Sequence, residues 1–149
     1  MRSVIVLSGI SGSGKSTYAG EGESRTVVSA DRFFMSEGVY SFDPKKLSEA
    51  HAACMAEFIK ACAALTPTVI VDNTNTTALE IAPYMLVASS FGYSPEVRTF
   101  RCANATEVSA CAARNRHNVP MHVVALQHAR LCARVLPPWW KNTDISVEV

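Results

Sequence analysis

The chain has 149 residues, of which 48% are hydrophobic and 18% charged. That balance suits one globular domain and excludes a disordered or low-complexity chain. A chain of this length buries roughly 68–70% of its unfolded surface and needs no disulfide or metal staple. Fourteen Lys and Arg stand against 13 Asp and Glu, a formal net charge of +1, so charge alone says nothing about a nucleic-acid partner.

Ser3–Ser8 is a continuous apolar run rich in β-branched residues, the pattern of a strand buried on both faces. It runs into a Gly-rich turn, and Lys15–Ala19 opens the first helix. Residues 26–29 form a second short strand, and 33–42 a loop carrying aromatic side chains. A long helix then starts with Asp43 as N-cap and Pro44 in the first turn. Leu47, His51, Cys54, Phe58, Cys62 and Leu65 recur at helical spacing and predict one apolar stripe, with His51 in the core. Pro67 stops this helix, and Thr68–Asp72 is the third strand.

Thr77 and Glu80 have the spacing of a capping box. Pro83 is expected to kink or interrupt the helix that follows, since it cannot donate to the Leu79 carbonyl. Residues 96–101 form a fourth strand, and Asn104 with Glu107 caps a helix running through 115. The chain breaks at 118–120, and a last helix runs to about 135, ended by Pro137 and Pro138. Trp139 and Trp140 pin the tail to the body, and 145–149 alternates as an edge strand. Strands alternating with helices predict an α/β domain spanning 1–149. Its sheet is mainly parallel, with four to five strands and helices on both faces, a three-layer arrangement.

Five cysteines (Cys54, Cys62, Cys102, Cys111 and Cys132) show no CxxC pair and no zinc spacing, which suggests small buried side chains in a reducing compartment. No apolar run is long enough for a signal segment or a membrane span, so a soluble cytoplasmic protein is expected (host cytoplasm if phage-encoded). Arg98, Arg101, Arg114, Arg116, Arg130 and Arg134 face a single acid, Glu107, over 98–134. That excess can hold phosphates or can be a set of solvated helix arginines.

The strongest chemical signal is the run Gly9, Ile10, Ser11, Gly12, Ser13, Gly14, Lys15 and Ser16, a full match to GxxxxGK(S/T) between a strand and a helix. Its backbone N–H groups curl around a β-phosphate, aided by the positive helix N-terminus. Lys15 reaches the β and γ oxygens, the Ser16 hydroxyl ligates Mg²⁺, and Thr17 bonds the α-phosphate. A dinucleotide fingerprint is disfavoured, because GxGxxG would need glycine at Thr17. The expectation is a nucleoside triphosphate bound with Mg²⁺.

Asp31 ends the second strand, on the edge of the sheet where ligands gather, and a carboxylate there can take the proton of an attacking hydroxyl. Asp72 ends the third strand and has the place of a Walker B acid, holding Mg²⁺ or its waters. Asn73, Thr74 and Asn75 add polar groups suited to an acceptor, or cap the next helix. Arg114 and Arg116 sit on a helix break at about 114–120, which predicts a lid whose arginines close over the transferring phosphoryl group. The plainer alternatives are a loop aspartate at 31 and a solvated helix end at 114–116.

With these residues in view, the chain resembles the P-loop kinase domains of phage-type polynucleotide kinases. It is more similar still to the related ATP-binding family that includes the kinase domain of NEDD4-binding protein 2. The resemblance rests on the loop 9–17, on SAD at 29–31, AHAAC at 50–54, VDNTNTT at 71–77, PYMLVA at 83–88 and RNRHNVP at 114–120. It implies transfer of the ATP γ-phosphate to a 5′-hydroxyl end of DNA or RNA, with Asp31 as general base. It also implies that Lys15 and Ser16 hold phosphates and metal, and that Arg114 and Arg116 contact the nucleotide phosphates. The family's acceptor-gripping arginine has no counterpart, because Phe34 stands at that position and Arg32 is the nearest basic residue. The lid is short, and no phosphatase domain is expected. Two other readings stay open: a kinase for a small molecule, nucleoside or modified base, and a low-turnover ATP-binding module.

Overall fold

The computed structural model describes residues 2–20 and 24–149. In chain order the elements are β1 (Ser3–Ser8), α1 (Lys15–Ala19), β2 (Arg25–Val28), the hairpin strands β3 (Met35–Ser36) and β4 (Val39–Tyr40), α2 (Leu47–Ala63), β5 (Thr68–Asp72), α3 (Ala78–Ser90), β6 (Ser94–Arg101), α4 (Ala105–Arg114), α5 (Met121–Ala133) and β7 (Asn142–Ser146). Single 3₁₀ turns at Ala30–Phe34 and Pro44–Lys46 precede the hairpin and α2. The sheet has the order β2-β5-β1-β6-β7, and each neighbouring pair is parallel.

Side chains alternate across a strand, and that period sorts the apolar residues into two cores. Val4 and Val6 of β1, Val69 and Val71 of β5 and Val28 of β2 face α2 and α3, where Ala50, Cys54, Phe58, Ile81 and Tyr84 complete one cluster. Their neighbours Ile5, Leu7, Ile70 and Val27 face the other way, toward Ala19 of α1, Val108 and Cys111 of α4 and Val124 of α5. A strand buried on both faces must be apolar throughout, which is why the central runs contain no alternation in polarity. Three-layer packing follows directly.

Three expectations change. The buried face of α2 is Ala50, Cys54, Phe58, Ala61 and Cys62; His51, Leu47 and Leu65 lie outside it and are exposed. Leu47 opens the first turn of α2, next to the 3₁₀ turn where Asp43 accepts from Lys45 N–H at 3.0 Å, and Leu65 lies beyond its last turn, so both end positions stay exposed. Pro83 does not interrupt α3, which runs unbroken from Ala78 to Ser90. Only the bond to Leu79 is forfeited, one turn from the helix start on a face where Leu79 is 85% exposed. The last strand forms at 142–146, parallel to β6, rather than at 145–149, while Trp140 packs on the core and Trp139 stays exposed.

Caps hold the helices in register. Thr77 Oγ1 accepts from Glu80 N–H and donates to the Glu80 carboxylate, and Asn104 accepts from Glu107 N–H at 3.0 Å, contacts typically worth about 1 kcal/mol each. Among the described residues no helix is long and apolar enough to cross a membrane. The carboxyl ends of β1, β2 and β5 open on one edge of the sheet, and the loops that follow them build the site.

Candidate active site

The loop after β1 is held in a shape that only its glycines permit. Gly12 and Gly14 have φ of 79° and 98°, in the left-handed region. A Cβ on Gly12 would run into the Cys111 carbonyl of α4, so the loop and α4 touch backbone to backbone there. Gly9 N–H donates to Thr74 O at 2.9 Å, and Ser11 N–H to Gln127 Oε1 of α5 at 2.9 Å. The buried Lys15 Nζ donates to Gly9 O at 2.9 Å and Ile10 O at 3.0 Å, with Ser13 Oγ at 3.4 Å. Burial pushes its pKa down, against the opposing charges of Asp72 and Asp31. A cation with only neutral acceptors in contact is a ready counter-charge for an anion entering the loop.

Ser16 Oγ donates to Asp72 Oδ2 at 2.8 Å, which brings two hard oxygens from α1 and β5 together beside the phosphate loop. Mg²⁺ in nucleotide sites takes one or two such protein oxygens and completes its shell with phosphates and water, so the pair fits that ion. Among the described residues no group of three or more His, Cys, Asp and Glu forms a separate metal cluster.

Asp31 lies in the 3₁₀ turn after β2, where Ser29 Oγ accepts its N–H. Its carboxylate is half exposed and faces a cavity of about 650 Å³ shared with residues 11–18, Asp72, Asn73, Thr74, Arg114, Arg116 and His117. Tyr40 OH donates to Asp31 Oδ1 at 3.3 Å, and His117 Nε2 lies 3.5 Å from Oδ2. Burial, and then the Asp31 charge, push the Tyr40 phenol up to about 12, so it stays a donor at neutral pH. A smaller recess of about 300 Å³ adjoins this point, lined by Ser16, Ser29, Asp31, Arg32, Asp72 and His117 among others.

The connection between α4 and α5 is closed by one side chain. Asn115 Nδ2 donates to Ala112 O at 2.7 Å and Val119 O at 3.0 Å, and its Oδ1 accepts Val119 N–H at 2.8 Å. This fixes Arg114 against the phosphate loop, with Nε 2.6 Å from Gly12 O. Arg116 faces the same cavity and, among the described residues, has no hydrogen-bond or ion-pair partner.

Several expected residues sit elsewhere. Asn75 is buried, outside both cavities, at φ 45°; its amide donates to Leu7 O, and its carbonyl accepts from Ser8 and Arg134. It is therefore a staple between strand ends, not an acceptor contact. Asn73 lines the cavity, but its Oδ1 is taken by Ala30 N–H at 2.9 Å and its Nδ2 points to Cys54 Sγ at 3.5 Å, so it braces the Asp31 turn. Arg32 borders the small recess while its guanidinium returns to Val27 O. Of the arginines over 98–134, Arg114 and Arg116 line the cavity and three others are held elsewhere. Arg98 bonds Glu96 and Tyr18, Arg101 pairs with Asp144, and Arg134 is held by Ser8, Asn75 and Thr99. Reading the sequence left Tyr40 among the loop aromatics and gave no role to Asn115, Gln127 and His117. Asn115 and His117 both lay inside the 114–120 motif already singled out.

A glycine-cradled phosphate loop at the end of a central parallel strand, with a Ser–Asp oxygen pair beside it, defines a P-loop α/β domain. The chain matches the AAA domain family (AAA_33) over residues 4–138, and it belongs to that family. It is 34% identical over 94 residues to human NEDD4-binding protein 2, a match covering 60% of this chain and 5% of that relative's length. Its fold is similar to a gluconokinase from Sinorhizobium meliloti (TM-score 0.64, 15% identity, 100% of this chain and 86% of that one). It is also similar to a chain of the Pnkp1/Rnl/Hen1 RNA repair complex (TM-score 0.69, 20% identity, 88% and 44%) and to the Deinococcus radiodurans tunicamycin resistance protein (0.57, 14%, 94% and 88%). The five-stranded sheet with helices on both faces is that of P-loop kinase structures.

Proposed function

We propose that this domain is a kinase that moves the γ-phosphate of ATP to the 5′-hydroxyl end of a nucleic acid. The observation that carries the reading is the Asp31 carboxylate, half exposed in the same cavity as the phosphate loop and the Ser16–Asp72 pair. A domain that only binds nucleotide needs no carboxylate there. Lys15 and the loop N–H groups hold the phosphates, and Ser16 and Asp72 would hold Mg²⁺, which when bound neutralises charge on the β and γ oxygens. Asp31 accepts the proton of the acceptor hydroxyl as its oxygen bonds to phosphorus; the bond from phosphorus to the bridging oxygen breaks and ADP leaves. Arg116, without another partner among the described residues, is placed to meet charge on the equatorial oxygens, with Arg114 beside it. We place the reaction in the cytoplasm, where ATP is abundant.

The nucleic-acid acceptor is supported by the resemblance of the 71–77 and 114–120 motifs to those of polynucleotide kinases and by the likeness to a chain of the RNA repair complex. A compact acceptor is the second reading. It is favoured by the small recess of about 300 Å³ beside Asp31 and by Arg32 being spent on Val27 O. Radiolabelled ATP and Mg²⁺ given with 5′-hydroxyl oligonucleotides, nucleosides, sugars or no acceptor separates them: label on the oligonucleotide supports the first reading, label on a small acceptor the second. Asp31→Asn should lower kcat by about 10²–10⁴ with ATP affinity unchanged. An Asp31→Asn variant with full turnover removes the base assignment.

A further inference from the structure

The Asp31 carboxylate is held from two sides by groups distant from it in sequence. Tyr40 OH reaches Oδ1 from the hairpin, and His117 Nε2 reaches Oδ2 from the α4–α5 connection, at 3.3 and 3.5 Å. The two rings also rest on each other, with centroids 4.1 Å apart and planes tilted by 39°. Among the described residues His117 Nδ1 is buried and has no partner, so the polar contact of the ring is the one between Nε2 and Asp31.

The same segment touches the nucleotide half of the site. Arg114 is bonded to Gly12 O of the phosphate loop, and Asn115 ties the backbone from Ala112 to Val119 into one closed turn. Arg114 and His117 both stand within or beside this closed turn. A carboxylate offers about four lone-pair positions, and this one is half exposed, so both contacts leave room for an acceptor hydroxyl. A base gains from groups that fix its direction, as the third member of a catalytic triad fixes its neighbour.

We infer that His117 is a positioning residue that, stacked on Tyr40, aims the Asp31 carboxylate and makes its alignment depend on the lid lying over the phosphate loop. The inference rests on Asp31 being the base. His117 touches neither phosphate nor acceptor in this role; it acts through Asp31.

The test is a double-mutant cycle on the full chain: wild type, Asp31→Asn, His117→Ala and the double variant. His117→Gln is added because its Nε2 can stand where the imidazole Nε2 stood. Phosphoryl transfer is followed with a 5′-hydroxyl oligonucleotide and a nucleoside, or as slow ATP hydrolysis by water if neither accepts, and ATP affinity is measured by titration. We expect His117→Ala to lower kcat about tenfold, the scale of coupling between contacting residues, with ATP affinity unchanged. No further loss is expected in the Asp31→Asn background, and His117→Gln should recover most of the rate. Equal fold-losses in both backgrounds, an unchanged or higher kcat in His117→Ala, or loss of ATP binding that His117→Gln does not restore would each overturn it. If Asp31→Asn keeps its rate, the base assignment fails and this inference falls with it. If Asp31→Asn is inactive while His117→Ala is normal, only the positioning role is lost.

Discussion

The two halves of the cavity are built in different ways. The phosphate half is backbone: left-handed glycines, a loop wedged against the Cys111 carbonyl, and a lysine buried among carbonyl oxygens. The half around Asp31, which we propose takes the acceptor, is side chains on short supports. Its hairpin has strands of two residues each, with Phe33, Met35, Val39 and Phe42 all largely exposed. Backbone recognition fixes what is shared by all nucleoside triphosphates. Exposed side chains on a small hairpin can be exchanged without disturbing either core. The acceptor is therefore the part of the chemistry most open to change.

The sharpest way to break the comparison is at Lys15. Lys15→Met should abolish transfer and weaken ATP binding, while far-UV circular dichroism shows the fold retained; wild-type turnover would mean the loop is not where phosphate sits. Next comes Arg116→Ala, expected to lower kcat by 10²-fold or more with a smaller rise in the KM for ATP, if its charge acts mainly on the transition state. Kinetics identical to wild type would make Arg116 a solvated side chain. Asn75→Ala should cost about 1–3 kcal/mol in chemical denaturation, because it leaves the Leu7 carbonyl without its donor and puts alanine at positive φ. The smallest effect belongs to the hairpin: Met35→Ala, at an exposed residue that lines the small recess beside Asp31, should change stability by less than about 0.5 kcal/mol, yet shift the acceptor KM. A large stability loss there would erase the contrast between the halves.

Local patterns made the phosphate half legible. The loop motif names its own chemistry, and the apolar strands β1 and β5 announce burial on both faces, which places Asp72 and the loop at one sheet edge. The acceptor half gave little away. Two-residue strands are too short to show a period, so Tyr40 read as one more loop aromatic. His117 stands in a motif, but β3, β4, β5 and β6 lie between it and its partner Asp31 in the chain, and no spacing rule links them. Charge counting could not sort the arginines: Arg114 and Arg116 line the cavity, while Arg101 and Arg134 are held by partners distant in sequence and Arg98 by Glu96 and Tyr18. His51 had the right spacing, yet it is exposed one turn into α2, where spacing alone does not decide burial.

Arg134 has a bearing on how the chain reaches this shape. Its guanidinium ties α5 to Ser8, Asn75 and Thr99, contacts spanning 126, 59 and 35 residues of sequence. Each spans a long loop, and loop-closure entropy must be overcome before such a contact stabilises anything. The bonds can form only after β1, β5 and β6 have come together, so they belong late on the folding route. A residue of that kind governs unfolding far more than folding. Arg134 would then act as a latch on the finished sheet, setting how long the assembled site persists rather than how quickly it forms.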